Sequence, residues 1–292
     1  MRKINVRFLL GLVTIVAVLA GATHLLHGHQ VRRSAEVLLV QADNRLKADK
    51  PGEAIGYLQR YVKLNPADTA QRARLARALA DTGNYRAAFF LLARVVREEP
   101  GRLDEGRRLV EVAMRIGRYN DARAHLKDHL IKAHPDDAVL HDLLGQCETG
   151  LGSFEKADKA FAHSIQLDPS AVKVYLRHAT VLREYREQIL QPTSDPEKVL
   201  DEMVANNGKD FRAYLARVAY RRQYGLAAGG EDLPSALEQD VQRALELAPD
   251  DADVLLQAAQ VAREAHDEAG QARAREHLQR GLKLHPEMPG WY

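Results

Sequence analysis

An all-α array of stacked helical hairpins is the fold class this sequence predicts, from the spacing of its prolines, its composition and two columns of small residues. Pro66, Pro100, Pro135 and Pro169 stand 34, 35 and 34 residues apart, with Pro249 and Pro286 beyond. The segments between them are rich in alanine, leucine, arginine and glutamate, and only 6% of the 292 residues are aromatic. That is the composition of closely packed helices rather than of a sheet. Ala42, Ala76, Gly145, Ala179 and Ala259 recur in one half of each unit, and Ala54, Ala88, Ala122, Ala157 and Ala274 in the other. A repeat of this length is one hairpin that cannot bury its apolar face alone, so neighbours must stack to build a continuous core.

The chain divides into an N-terminal segment, residues 1–30, and an array, residues 31–292. Arg2, Lys3 and Arg7 precede an uncharged run of 19 residues from Phe8 to Leu26. Such a run is close to the roughly 20 residues that span a bilayer as a helix, and its basic flank keeps the N-terminus cytoplasmic. This predicts one transmembrane signal anchor ahead of the array. Ala20-Gly21-Ala22 also offers a small-residue cleavage site. Either way the array lies across the membrane: attached to the inner membrane by a single pass with the repeats periplasmic, or released into the periplasm after cleavage behind Ala22. No cysteine stands directly behind the run, which excludes a lipoprotein anchor.

Each unit of the array then reads as a first helix, a tight turn often with glycine, a second helix and a closing proline. The proline ends the second helix because the residue before it is pushed out of the α region. The small columns fall where the two helices of a hairpin cross, and bulk there would pry them apart. About seven units are placed: 35–66, 69–100, 103–135, 138–169, two irregular ones between 170 and 249, and 252–286. The irregular pair spans 80 residues from Pro169 to Pro249, and the surplus over two regular periods falls in two turns, Gln191 to Pro196 and Gly225 to Pro234. After Pro286, Trp291-Tyr292 stands where the early aromatic of another first helix belongs, so the expectation is an eighth repeat that begins there and is cut off.

The fourth unit spells the pattern out: Leu144-Gly145 in its first helix, Gly152 and Phe154 at the turn, Ala157, Phe161 and Ile165 in its second, then Pro169. The second carries Leu75-Ala76, Gly83, Tyr85, Ala88, Leu92 and Pro100; the third carries Leu109-Val110, Gly117, Tyr119, Ala122, Leu126 and Pro135. This resembles the tetratricopeptide repeat family closely. The resemblance implies an α-solenoid, a right-handed superhelix of helical hairpins, whose inner groove is built mostly by first helices and grips extended peptides or helices of partner proteins. Some anchored members assist envelope polysaccharide or outer-membrane assembly. One such type ends in a metal-binding CxxC module, which the single Cys147 rules out for these residues.

The net charge of +2 hides an asymmetry: 14 Lys/Arg against 8 Asp/Glu from Gln71 to Lys132, and 8 against 16 from Asp195 to Glu268. The first helices place Arg74, Arg77, Arg107, Arg108, Arg115, Gln146, Lys173, Arg177 and Arg183 toward the groove that the resemblance implies. Arginine forks bind carboxylates in a bidentate way, so this lining implies protein or peptide partners with acidic segments. The lysine and asparagine pattern of the family's chaperone-binding members is missing. Nucleic acid is not an expected partner, because no aromatic platform interleaves the arginines. The chain has no GxxxxGK[ST], HExxH, GxSxG or CxxCH, so no catalytic, cofactor or metal site is expected. His125 and His129 stand one helical turn apart, as do potential metal ligands, but no carboxylate or cysteine completes a pattern. The expected function is a non-enzymatic, membrane-tethered scaffold or adaptor. The alternative is the targeting and recruitment arm of a longer envelope enzyme such as a glycosyltransferase.

Overall fold

A computed structural model of the chain describes residues 35–225, 232–288, 290 and 291. The proposed anchor, Phe8 to Leu26, lies outside the described residues, as do most of the second insertion and Tyr292. Among the described residues no helix is long and apolar enough to cross a membrane. The described residues form two compact units that divide between His125 and Leu126.

The first unit holds α1 (residues 35–47), α2 (Pro51–Leu64), α3 (Thr69–Asp81), α4 (Tyr85–Glu98), α5 (Leu103–Arg115) and α6 (Tyr119–His125). α1 meets α2 through an ion pair of Arg45 with Glu53 at 2.8 Å; α3/α4 and α5/α6 pair as antiparallel hairpins, and α2 packs on α3 as α4 packs on α5. Ala42, Ala54, Ala76, Ala88 and Ala122 are all buried at the crossings, beside Leu58, Leu92 and Val110. At the fourth residue of α3, where an aromatic would serve, stands Arg72, only 1% exposed. Its guanidinium donates to the Pro66 carbonyl and to the Glu98 carboxylate, which also accepts from Thr69 Oγ1 at 3.1 Å. Hydrogen bonds from Arg94 and from Arg72 hold Glu98 at about 2, well below its ordinary 4.5. A polar plug thus replaces an apolar one, joining the loop after the first hairpin to the second.

Five of the short turns between paired helices hold one left-handed residue at the same place. Gly83, Gly117 and Gly152 take it at φ 81°, 75° and 71°, whereas Asp49 and His266 occupy the same place at φ 54°. A side chain there crowds the following carbonyl, at a cost of roughly 1–2 kcal/mol that glycine escapes. Asp49→Gly is therefore expected to stabilise the protein by about 0.5–1 kcal/mol, glycine's greater chain entropy offsetting part of the relief. A higher urea midpoint at unchanged slope is the expected result.

The second unit opens with a π-helical turn, Leu126–Leu130, and α7 (Ile131–Ala133). A π turn holds one residue more than an α turn. It lies in the one regular unit whose proline interval is 35 rather than 34, and it accounts for the surplus residue. Then come α8 (Ala138–Gly150), α9 (Phe154–Leu167), α10 (Val172–Glu184), α11 (Pro196–Asn206), α12 (Phe211–Tyr224), α13 (Leu233–Leu247), α14 (Ala252–Glu264) and α15 (Glu268–Leu284). They form hairpins α8/α9, α10/α11, α12/α13 and α14/α15. Gly145 is in α8 because the Phe161 ring of α9 lies against it; a Cβ there would sit 2.6 Å from the ring.

The first insertion, between α10 and α11, is bound into the core. Ile189 is buried, and Thr193 donates from both its amide, at 2.8 Å, and its hydroxyl to the buried Asp158 of α9. His178 Nε2 of α10 reaches the same carboxylate at 2.6 Å. Burial alone would raise the Asp158 pKa, but the hydrogen bonds from His178 and Thr193 outweigh it and hold the carboxyl below its ordinary 3.8. The hairpin α10/α11 has no closing proline. Asn207 closes it instead, its amide donating to Met203 O at 2.9 Å and to Pro169 O at 3.0 Å. At the far end Trp291 folds back on Ala252 and Leu255, its indole donating to His285 O at 2.8 Å.

Candidate partner-binding groove

In the first unit the groove arginines sit on α3 and α5, and most meet a carboxylate of a neighbouring first helix. Arg74 bonds Asp43 of α1, Arg77 bonds Glu105 of α5 at 2.7 Å, and Arg108 bonds Asp81 of α3 at 2.5 Å and Glu111 at 2.9 Å. Arg107 approaches Asp104 at 3.9 Å. Arg115 is exposed and, among the described residues, has no carboxylate within ion-pair distance. Half-exposed pairs of this kind contribute roughly 0–1 kcal/mol each, so the ladder fixes the spacing of neighbouring helices more than it stabilises them.

The second unit repeats the arrangement with different partners. Arg177 of α10 and Gln146 of α8 converge on Asp142 of α8, at 2.7 and 3.0 Å. Burial raises the Asp142 pKa despite Arg177 and Gln146. Arg183 donates to the Tyr224 carbonyl of α12 at 3.0 Å, and Tyr224 donates its hydroxyl to Glu184 at 2.5 Å. Lys173 has no carboxylate within ion-pair distance among the described residues; it is exposed at the rim of a cleft of about 670 Å³ formed by the starts of α10, α12 and α14.

That cleft has an apolar floor of Leu176, Phe211, Leu215 and Leu256. Its rim mixes signs: Lys173 and Arg212 face Asp210, Asp251 and Asp253. Asp210 and Asp251 also cap α12 and α14, accepting from the amides of Arg212 and of Asp253 and Val254. The floor residues were missed by a reading that followed charge. The signal was present: Leu176, Leu215 and Leu256 are each the fifth residue of a first helix. A cleft of this size and lining suits one or two apolar side chains of a ligand. Among the described residues no group of three or more His, Cys, Asp or Glu side chains is placed to hold a metal ion, and Cys147 is buried.

Antiparallel hairpins stacked within each unit define an α-solenoid. Residues 45–110 and 79–147 match one family profile described as tetratricopeptide repeat, and residues 139–170 match a second profile of the same description. Residues 45–170 of the chain are thus built of tetratricopeptide repeats. Similar solved structures include MamA 41-end from Desulfovibrio magneticus RS-1, at 22% identity and TM-score 0.51 over 59% of this chain and 93% of that one. A tetratricopeptide repeat protein from Parabacteroides merdae ATCC 43184 aligns at 13% identity and TM-score 0.54, over 87% of this chain and 94% of the other. A further MamA structure aligns at 16% identity and TM-score 0.52, over 68% and 98%. At such identities the likeness establishes the fold. No curated protein matches the chain in a sequence comparison.

Proposed function

We propose that this protein is a non-enzymatic scaffold, tethered by its N-terminal helix to the inner membrane, that holds partner polypeptides at the extracytoplasmic face. Proteins of this fold are typically interaction scaffolds. The apolar cleft beside Lys173 in the second unit carries the reading here, offering apolar and cationic contacts to a peptide with acidic segments. A surface formed before the ligand arrives needs little ordering on the scaffold side, which favours binding. The run from Phe8 to Leu26 behind Arg2, Lys3 and Arg7 supports the tether and its direction.

The paired arginines make poor test sites, because Arg77→Glu would set two carboxylates together at Glu105. Arg115→Glu with Lys173→Glu leaves the ladder intact. Crosslinking in native membranes, followed by mass spectrometry, is expected to recover a set of partners with the wild-type chain that is depleted with the double variant. An identical set from both would sink the groove as the contact, and protease resistance of the repeats in intact spheroplasts would sink the extracytoplasmic placement.

A further inference from the structure

We propose that the hairpins α10/α11, α12/α13 and α14/α15 read a two-part peptide motif, an apolar side chain with a pair of carboxylates about three residues away. The proposal rests on the scaffold reading and gives it a ligand chemistry. The apolar part enters the cleft floored by Leu176, Phe211, Leu215 and Leu256.

The acidic part meets a second cavity, about 690 Å³, where the ends of α12 and α14 face the start of α15. Arg222, Arg263 and Arg275 line it against one carboxylate, Glu264. Arg222 is held in place by Glu264 at 2.7 Å and by Gln260 at 2.8 Å. Arg263 and Arg275 are exposed and, among the described residues, have no carboxylate partner. Three positive charges less one negative leave two. Two clustered carboxylates neutralise that excess, and guanidinium forks bind them with matched geometry.

The spacing follows from the helices. Leu215 and Arg222 on α12, and Leu256 and Arg263 on α14, are each seven positions apart. At 1.5 Å per residue this separates the two cavities by about 10 Å. An extended peptide covers that distance in about three residues. Leu278 and Gln271 of α15 complete the acidic end, so the pocket uses a second helix as well as first helices.

The test is fluorescence anisotropy with the full-length chain and a labelled peptide, Gly-Ser-Leu-Ala-Ala-Glu-Glu-Ser-Gly, together with the reversed order Glu-Glu-Ala-Ala-Leu in the same flanks. At least one order is expected to bind. Its affinity is expected to fall about tenfold with Arg263→Gln plus Arg275→Gln, and similarly with Leu256→Ser or with four residues inserted between the apolar and acidic parts. Both arginines are exposed, and an unchanged circular dichroism melt checks that the variant folds. Equal binding by the arginine variant, equal binding of the lengthened peptide, or equal binding of labelled hexaglutamate overturns the motif. So does failure of both orders to bind, while the crosslinking comparison continues to decide the scaffold reading by itself.

Discussion

Replacing Asp158 by alanine is expected to cost about 3 kcal/mol or more and to loosen the segment between α10 and α11. Asp158 is fully buried and accepts hydrogen bonds from Thr193 and from His178, itself only 2% exposed. Removing a buried charge leaves its partners without the group they were placed to meet, and this is costlier than losing the bonds themselves. Urea denaturation reads the first effect, and amide exchange or limited proteolysis over residues 185–195 reads the second. Thr193→Val isolates the tie to the insertion: faster exchange there at a smaller loss of stability, about 1 kcal/mol, is expected. The pH dependence has a definite sign. Because the folded carboxyl titrates below 3.8, its contribution is complete above that pH and is lost as pH falls through the lower folded value. Wild type should therefore lose more stability than Asp158→Ala on acidification below about pH 4. Equal melts at neutral pH would remove Asp158 from this role.

Gly145→Val is expected to destabilise by about 2 kcal/mol, although helix propensity alone favours valine over glycine by several tenths. The Phe161 ring, 1% exposed, occupies the space a Cβ needs. Overpacking at a close helix crossing forces the ring or the helix to shift. A double-mutant cycle with Phe161→Leu checks the cause. The pair should cost clearly less than the sum of its members, because the smaller side chain gives back the room. Additive losses would place the strain elsewhere.

The regular hairpins were legible because each rests on short-range constraints written in residue type. A proline stops a helix, a glycine allows a left-handed turn, and an alanine permits a close crossing. Gly83, Gly117 and Gly152 announced their turns; Asp49 and His266, in the same geometry, did not, since their residue types do not demand it. The 35-residue interval was visible, but not that a π turn would absorb it. Nothing in the residue type of Arg72 marks it as buried, and only its contacts with Pro66 and Glu98 reveal a plug. The groove arginines illustrate the main gap. Their residue type said what they can bind, while their engagement with Asp43, Asp81, Glu105 and Asp142 depends on how neighbouring hairpins are spaced. The apolar cleft was obscured for the reverse reason, its leucines looking like ordinary core.

The ion-pair ladder makes the order of the hairpins matter. Asp81 suits a successor that carries Arg108, and Asp142 suits one that carries Arg177; a hairpin transplanted to another place would bring its charge to a neighbour that lacks the counterpart. Repeats that look interchangeable by their shared small residues are thus keyed to one sequence of neighbours. Shuffling or duplicating them should keep the hairpins folded and cost up to about 1 kcal/mol for each pair lost at a new junction.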